Sequence, residues 1–254
     1  MKDHLFICFA AEDRYSIAEP IVHHLKNYGI KIWYDRYELL LGDNRRKKNL
    51  YEGATLCKYA IVIISKYTLK SKCAMEEINI IRKRYRQGDV TVFPILYEVH
   101  PDKIGNNINW IKKIIFKEID KKSGTREICA HIVCRITKDI LKKYELRNIQ
   151  AILDNVKDYQ LPVATYDILN CYQKVDNKNI NSKVSLLFAS YLIIKHSIVL
   201  ESNQNIDMIS RIFERLFSET RLNIAIDYRE LWLLENSICI LSNYYIKSCT
   251  ESKI

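Results

Sequence analysis

The chain has 254 residues, enough for one large domain or two modest ones. Its 48% hydrophobic and 28% charged residues suit a folded globular protein and exclude a disordered one. No stretch approaches the ~20 uncharged apolar residues of a membrane span. Met1-Lys2-Asp3-His4 leads straight into a strand pattern with no signal peptide, so a cytoplasmic protein is expected. The net charge of +10 is uneven: residues 1–144 hold 28 Lys/Arg and 17 Asp/Glu, a net of +11, while 145–254 hold 12 and 13, a net of −1. A basic surface of this kind attracts nucleic acid, a dinucleotide or an acidic neighbour alike. Arg45-Arg46-Lys47-Lys48, the densest run, reads as a solvated helix face. Eight Cys are scattered without a Cys-x-x-Cys pair or zinc spacing, so reduced, mostly buried thiols are expected. Cys8, inside a strand pattern, reads as a small hydrophobe.

In chain order, residues 4–96 alternate apolar strands with helices. A first strand covers Leu5 to Ala10, and a helix runs from Arg14 to Tyr28 with Asp13 as N-cap and Gly29 as its stop. Ile30 to Tyr34 forms a second strand, Asp35 to Asp43 a loop, and a second helix reaches Cys57. The third strand, Tyr59 to Ser65, is apolar at every residue from Ala60 to Ile64 and is therefore expected at the sheet centre. A helix from Lys70 to Arg86, stopped by Gly88, and a strand from Val90 to Leu96 follow. Such alternation predicts a parallel sheet covered on both faces. Residues 102–118 show a weaker pattern, and a helix from Thr125 to Tyr144 closes a first domain over 1–144. From Glu145 onward the periods are helical, near 145–157, 163–175, 182–200, 206–220 and 224–247. Residues 145–254 therefore read as a smaller all-α domain, a bundle whose Tyr166, Tyr172, Phe188 and Tyr191 stripe is core.

Ser71-Lys72-Cys73-Ala74-Met75-Glu76-Glu77-Ile78 places adjacent carboxylates after the central strand, at the carboxyl edge of the sheet, where open α/β sheets bind ligands. Neither Gly-x-x-x-x-Gly-Lys-Ser/Thr nor Gly-x-Gly-x-x-Gly occurs, so both phosphate-cradling loops are missing. A receiver domain needs an aspartate where the third strand ends in Ser65. No Gly-x-Ser-x-Gly elbow supports a hydrolase triad.

The ordered set Phe6-Ile7-Cys8-Phe9-Ala10-Ala11-Glu12-Asp13, Ile32-Trp33-Tyr34-Asp35, Glu38-Leu39-Leu40-Leu41-Gly42-Asp43 and Ile63-Ile64-Ser65 with Ser71-Lys72-Cys73 and Glu77 resembles a TIR (Toll/interleukin-1 receptor) domain over about residues 4–143. Cys8 and Phe9 stand where that family commonly has Ser and Tyr, and Cys73-Ala74 replaces its frequent Trp-Cys. The resemblance implies a flavodoxin-like α/β fold and, in the bacterial enzymatic branch, cleavage of the nicotinamide ribosyl bond of NAD+, a substrate rather than a cofactor. It assigns catalysis to Glu77, whereas Glu76 reads as an ordinary early-helix acid. The transition state is oxocarbenium-like and the pyridinium leaves neutral, so one carboxylate near the ribose suffices.

Supporting roles are open at several positions. Ala10 and Ala11 would floor the cleft, and Phe9 reads as core beside it. Trp33 would stack on a ring or be buried, Asp35 would bind ribose hydroxyls or cap its loop, and Ser71 would touch substrate or cap its helix. Arg36, Arg45, Arg46 and Lys72 are candidates for the pyrophosphate, and Cys73 lies beside the glutamates. The resemblance further implies self-association through loop 36–43, completing a neighbour's cleft, with the helical domain as sensor or oligomerisation device. It also implies a hydrolytic or cyclic product, a downstream effector that responds to it, and a role in anti-phage defence. The rivals are a non-catalytic TIR scaffold, a nucleoside deoxyribosyltransferase-like enzyme and, last for want of any base-reading motif, a nucleic-acid binder.

Overall fold

In the computed structural model, residues 4–155, 161–197 and 204–251 are described. The chain divides into two compact units. One comprises the residues up to Cys129 except Asn27–Gly29; the other takes Asn27–Gly29 and the residues from Ala130 on. This division falls inside the helix Arg126–Leu141, upstream of the boundary at residue 144 read from the sequence pattern. The second half of that helix meets its own unit, as where the Cys134 thiol donates to the Arg229 carbonyl.

The first unit is built on five strands: β1 (Leu5–Cys8), β2 (Ile32–Trp33), β3 (Tyr59–Ile64), β4 (Thr91–Tyr97) and β5 (Lys117–Ile119). They pair in the order β2-β1-β3-β4-β5, and every pairing is parallel. This is the flavodoxin-like α/β architecture expected from the alternation of strands and helices. β3 is buried at all six residues and hydrogen-bonds on both sides, to β1 and β4. Its unbroken apolar run thus has the central position that two covered faces demand. Helices α1 (Glu19–Asn27), α2 (Asp35–Glu38), α3 (Lys72–Gln87) and α4 (Arg126–Leu141) complete the regular elements, with a π-helical segment at Lys47–Ala54.

Four local expectations are corrected. Asp13 caps no helix; its carboxylate instead accepts hydrogen bonds from Ser65 Oγ (2.5 Å) and Thr68 Oγ1 (3.4 Å), tying the turn after β1 to the turn after β3. Those hydroxyls reach it across the sheet edge, so it is not left to serve the local backbone. The loop after β2 begins with the short helix α2, because the Tyr37, Glu38 and Leu39 amides bond back to Tyr34 and Asp35. β5 falls in the stretch of weak pattern; a three-residue edge strand reading Lys-Glu-Ile carries no apolar alternation. The helix expected over 14–28 opens as a 3-10 and then a π-helical turn before α1 begins.

The described part of the second unit is helical: the rest of α4, then α5 (Ile149–Asp154), α6 (Val163–Lys174), α7 (Ile180–His196), α8 (Gln204–Arg221) and α9 (Tyr228–Glu251). The helical periods read from sequence correspond to these helices, although the ends at 157 and 200 lie outside the described residues. Tyr166, Tyr172 and Tyr191 are buried, and Phe188 stacks on Phe217 with centroids 3.9 Å apart. Among the described residues, no helix is long and apolar enough to cross a membrane.

Candidate active site

The chain crosses from β1 to β2 on one side and then to β3 on the other, so the sheet has its switch point at the carboxyl ends of β1 and β3. α3 starts just beyond β3. Ser71 caps it by accepting from the Ala74 amide (3.3 Å), and Gly88, at φ 77°, ends it in the left-handed conformation. With 3.6 residues per turn, Ala74, Glu77, Ile78 and Ile81 share one stripe, and all four are buried. Glu77 therefore occupies a core position, only 6% exposed, on a stripe that is otherwise aliphatic. Glu76 faces outward and pairs with Arg46 at 3.3 Å, the ordinary surface role expected of it.

Three groups bear on the Glu77 carboxyl. Asn49, on the π-helical segment, donates from Nδ2 to Oε1 at 3.4 Å and accepts at Oδ1 from Trp33 Nε1 at 3.5 Å. The Cys8 thiol, fully buried at the end of β1, donates to the Ala74 carbonyl (3.6 Å), one turn before Glu77 on α3. Arg45 adds a positive charge nearby. Burial nevertheless dominates and pushes the Glu77 carboxyl up to about 7; Asp35 acts in the same direction, whereas Cys8, Arg45 and Asn49 partly oppose it. A buried carboxyl in a cleft with its pKa raised by burial is a candidate for a functional site.

The cleft is lined by Phe6, Ile7, Phe9, Ala11, Arg14, Asp35, Arg45, Asn49 and Glu77, around a free volume of ≈ 20 Å³. That is room for about one water. Its wall is braced by Arg14, which holds both Asp35 carboxylate oxygens, at 2.9 and 2.8 Å, and donates to the Tyr34 hydroxyl at 3.1 Å. The same guanidinium lies over the Phe9 ring, 5.2 Å from its centroid. Of the residues singled out from sequence, Glu77, Phe9, Ala11, Asp35 and Arg45 come together here. Arg14, Asn49 and Cys8 were not foreseen as site residues.

The other candidates sit elsewhere. Arg36, next to Asp35, turns to Glu19 (2.7 Å) and does not line the cleft. Arg46 is taken by Glu76. Ser71 serves as the helix cap, and Cys73 is exposed on α3. Ala10 is buried beneath the turn after β1. Trp33 is core, with its indole N–H spent on Asn49; at Gly53 even a methyl group would lie 2.8 Å from that nitrogen and 2.6 Å from Phe6. Among the described residues no cluster of three or more His, Cys, Asp or Glu can hold a metal ion.

An α/β unit with a parallel 2-1-3-4-5 sheet and a buried carboxylate at its switch point defines the class. Residues 5–129 match the family model described as TIR domain, and the first unit is a TIR domain. Its curated relatives include a 2′ cyclic ADP-D-ribose synthase of Bacteroides thetaiotaomicron, 35% identical over 99 residues that cover 39% of this chain and 34% of the relative. An NAD(+) hydrolase of a Theionarchaea archaeon is 26% identical over 100 residues, 39% of this chain and 30% of its own. An NAD(+) hydrolase of Paracoccus denitrificans is 26% identical over 102 residues, 40% and 34% of the two chains. The matched segment thus spans about a third of each of these relatives. Among solved structures, the TIR domain of a Toll-related receptor from Hydra magnipapillata is 19% identical and covers 53% of this chain and 98% of its own, with a TM-score of 0.42.

Proposed function

We propose that the TIR unit cleaves the nicotinamide ribosyl bond of NAD+, with Glu77 as the catalytic carboxylate. The observation that carries this reading is the position of Glu77: a buried carboxyl on the core stripe of α3, opening into the switch-point cleft. Relatives named as NAD(+) hydrolases and cyclic ADP-D-ribose synthases match the same segment of the chain.

The chemistry follows from the site. In NAD+ the positive charge begins on the pyridinium and moves to the ribose anomeric carbon as the bond breaks; nicotinamide leaves neutral and needs no acid. A carboxylate beside that carbon favours the transition state, more strongly where water is excluded. The cationic pyridinium of the substrate, seated beside Glu77, draws its pKa below the resting value of about 7, so binding itself ionises the catalyst. Arg45 is placed to meet a phosphate, and Phe9 and Ala11 to floor the nucleotide. Water as acceptor yields ADP-ribose, and a hydroxyl of the same molecule yields a cyclic product.

At ≈ 20 Å³ the cleft does not admit a dinucleotide. Entry requires the segment carrying Asp35 and Arg45 to move, and that segment continues into exposed Tyr37, Leu40 and Leu41. Self-association through residues 36–43 is the stimulus that couples assembly to opening. Release of a nucleotide signal, or depletion of NAD+, suits a defence role.

The test is nicotinamide release from NAD+ at high protein concentration with a crowding agent, wild type beside Glu77→Ala and Glu77→Gln. Release by wild type alone supports the reading. NAD+ surviving in an assembled wild-type sample overturns it and leaves a scaffold.

A further inference from the structure

The second unit holds a cavity of its own, ≈ 330 Å³, with Tyr172, Gln173, Lys183, Trp232, Glu235 and Asn236 among the residues that line it. That size sits at the lower end of small-molecule sites. Its most telling member is Lys183. The residue is only 5% exposed, yet among the described residues its ammonium makes no hydrogen bond or ion pair; it lies 4.4 Å from the centroid of the Tyr172 ring. It also stands one turn from the N-terminus of α7, the end of a helix that disfavours a cation. Its stem is buried, while its ammonium is not itself buried and so reaches the open cavity, where a partner from solvent can meet it.

The surroundings say what would complete it. Glu235, the cavity's carboxylate, is engaged by the Tyr172 hydroxyl and forms no ion pair with Lys183. A second cation, Arg147, lines the cavity, its guanidinium anchored on the Tyr144 and Lys142 carbonyls. The remaining lining is rich in side-chain amides, and half-buried Trp232 offers an aromatic face. Two cations, several amides and an indole, with the one carboxylate, Glu235, held by Tyr172, suit a phosphate ester carrying a hydroxyl-rich or ring-bearing group.

The geometry points to a binding site in the helical unit for a small phosphorylated metabolite of nucleoside-monophosphate size, its phosphate paired with Lys183. The inference is independent of any activity at Glu77.

The test is isothermal titration calorimetry of the full chain with AMP, ribose 5-phosphate, inorganic phosphate and, as an uncharged control, adenosine. Wild type binds at least one phosphate ester, and adenosine at least tenfold more weakly than AMP. Lys183→Met keeps the stem and the packing but removes the charge; it lowers ester affinity tenfold or more. Gln173→Glu, an exposed change at the rim that leaves the fold intact, weakens the same esters by charge repulsion. Arg45→Ala, in the other unit, leaves these affinities unchanged. No binding of any ester at millimolar concentration, or equal binding by wild type and a folded Lys183→Met, overturns the proposal. Loss in Arg45→Ala with retention in Lys183→Met also overturns it, by placing the phosphate in the TIR cleft.

Discussion

Replacing Glu77 by glutamine is expected to abolish turnover and, at the same time, to stabilise the fold. The side chain is 6% exposed, and its pKa rises from an ordinary 4.5 to about 7. A carboxyl whose folded pKa lies above its unfolded one is at no disadvantage while neutral in both states. It loses stability as pH climbs from the unfolded value through the folded one, because the folded state must give up a proton it holds more tightly. The full shift corresponds to about 3 kcal/mol at pH 8.5 and to less than about 1 kcal/mol at pH 5. Glutamine keeps the shape, still accepts from Asn49 Nδ2 and carries no charge. Glu77→Gln should therefore raise the melting temperature of the first unit by roughly 6–12 °C at pH 8.5 and by far less at pH 5. Calorimetric melts of both proteins across this range check it. A gap that is absent at pH 8.5, or equal at both pH values, would refute the claim that burial of this carboxylate is a cost the fold carries for function.

Four further outcomes are expected. Asn49→Ala removes a donor that favours the ionised form, so the acid limb of the pH–rate profile for nicotinamide release shifts upward and the rate at pH 7 falls about tenfold. Asp13→Ala takes away the acceptor of the buried Ser65 hydroxyl, while Thr68 keeps the Ile63 carbonyl (3.0 Å), and lowers unfolding free energy by roughly 1–2 kcal/mol in urea titrations. Gly53→Ala pushes a methyl group against Phe6 and Trp33, costing about 1–3 kcal/mol and, through Asn49, activity as well. Leu40→Glu with Leu41→Glu, at 72% and 108% exposure, leaves stability within about 0.5 kcal/mol but suppresses self-association in sedimentation velocity, and nicotinamide release with it.

What the sequence made legible is what a local pattern can encode. The apolar run from Ala60 to Ile64 forces a strand with two covered faces, and the structure puts it at the sheet centre. Gly88 ends α3 because only a residue without a Cβ takes φ 77° cheaply. The position of Glu77 was legible twice, once by resemblance and once as one of two adjacent acids after the central strand, at the carboxyl edge of the sheet. The groups that tune it were not. Cys8 reads as core and is core, yet its thiol also donates to the Ala74 carbonyl at the start of the helix that carries the carboxyl. Arg45 is a candidate in the sequence only as a cation for the pyrophosphate, and Asn49, four residues on, carries a signal only once that face is known to look at α3. Asp13 looked like a cap because Asp commonly is one; its true partners are 52 and 55 residues away. Arg36 looked like a phosphate ligand by adjacency to Asp35, but consecutive residues diverge, and it pairs with Glu19 instead.

The two carboxylates of the cleft have different partners. Asp35 is held bidentately by Arg14 in a closed pair. Glu77 has no such partner: Asn49 offers one neutral hydrogen bond, and burial outweighs it. The first carboxylate therefore holds structure, and the second stores an unfavourable charge that only a cation entering the cleft can relieve. Opening the cleft means disturbing the Arg14–Asp35 pair, which would free a guanidinium beside Arg45 at the moment a pyrophosphate arrives. On the proposed function, the same movement that would make room for a dinucleotide would also create the charge that recognises it.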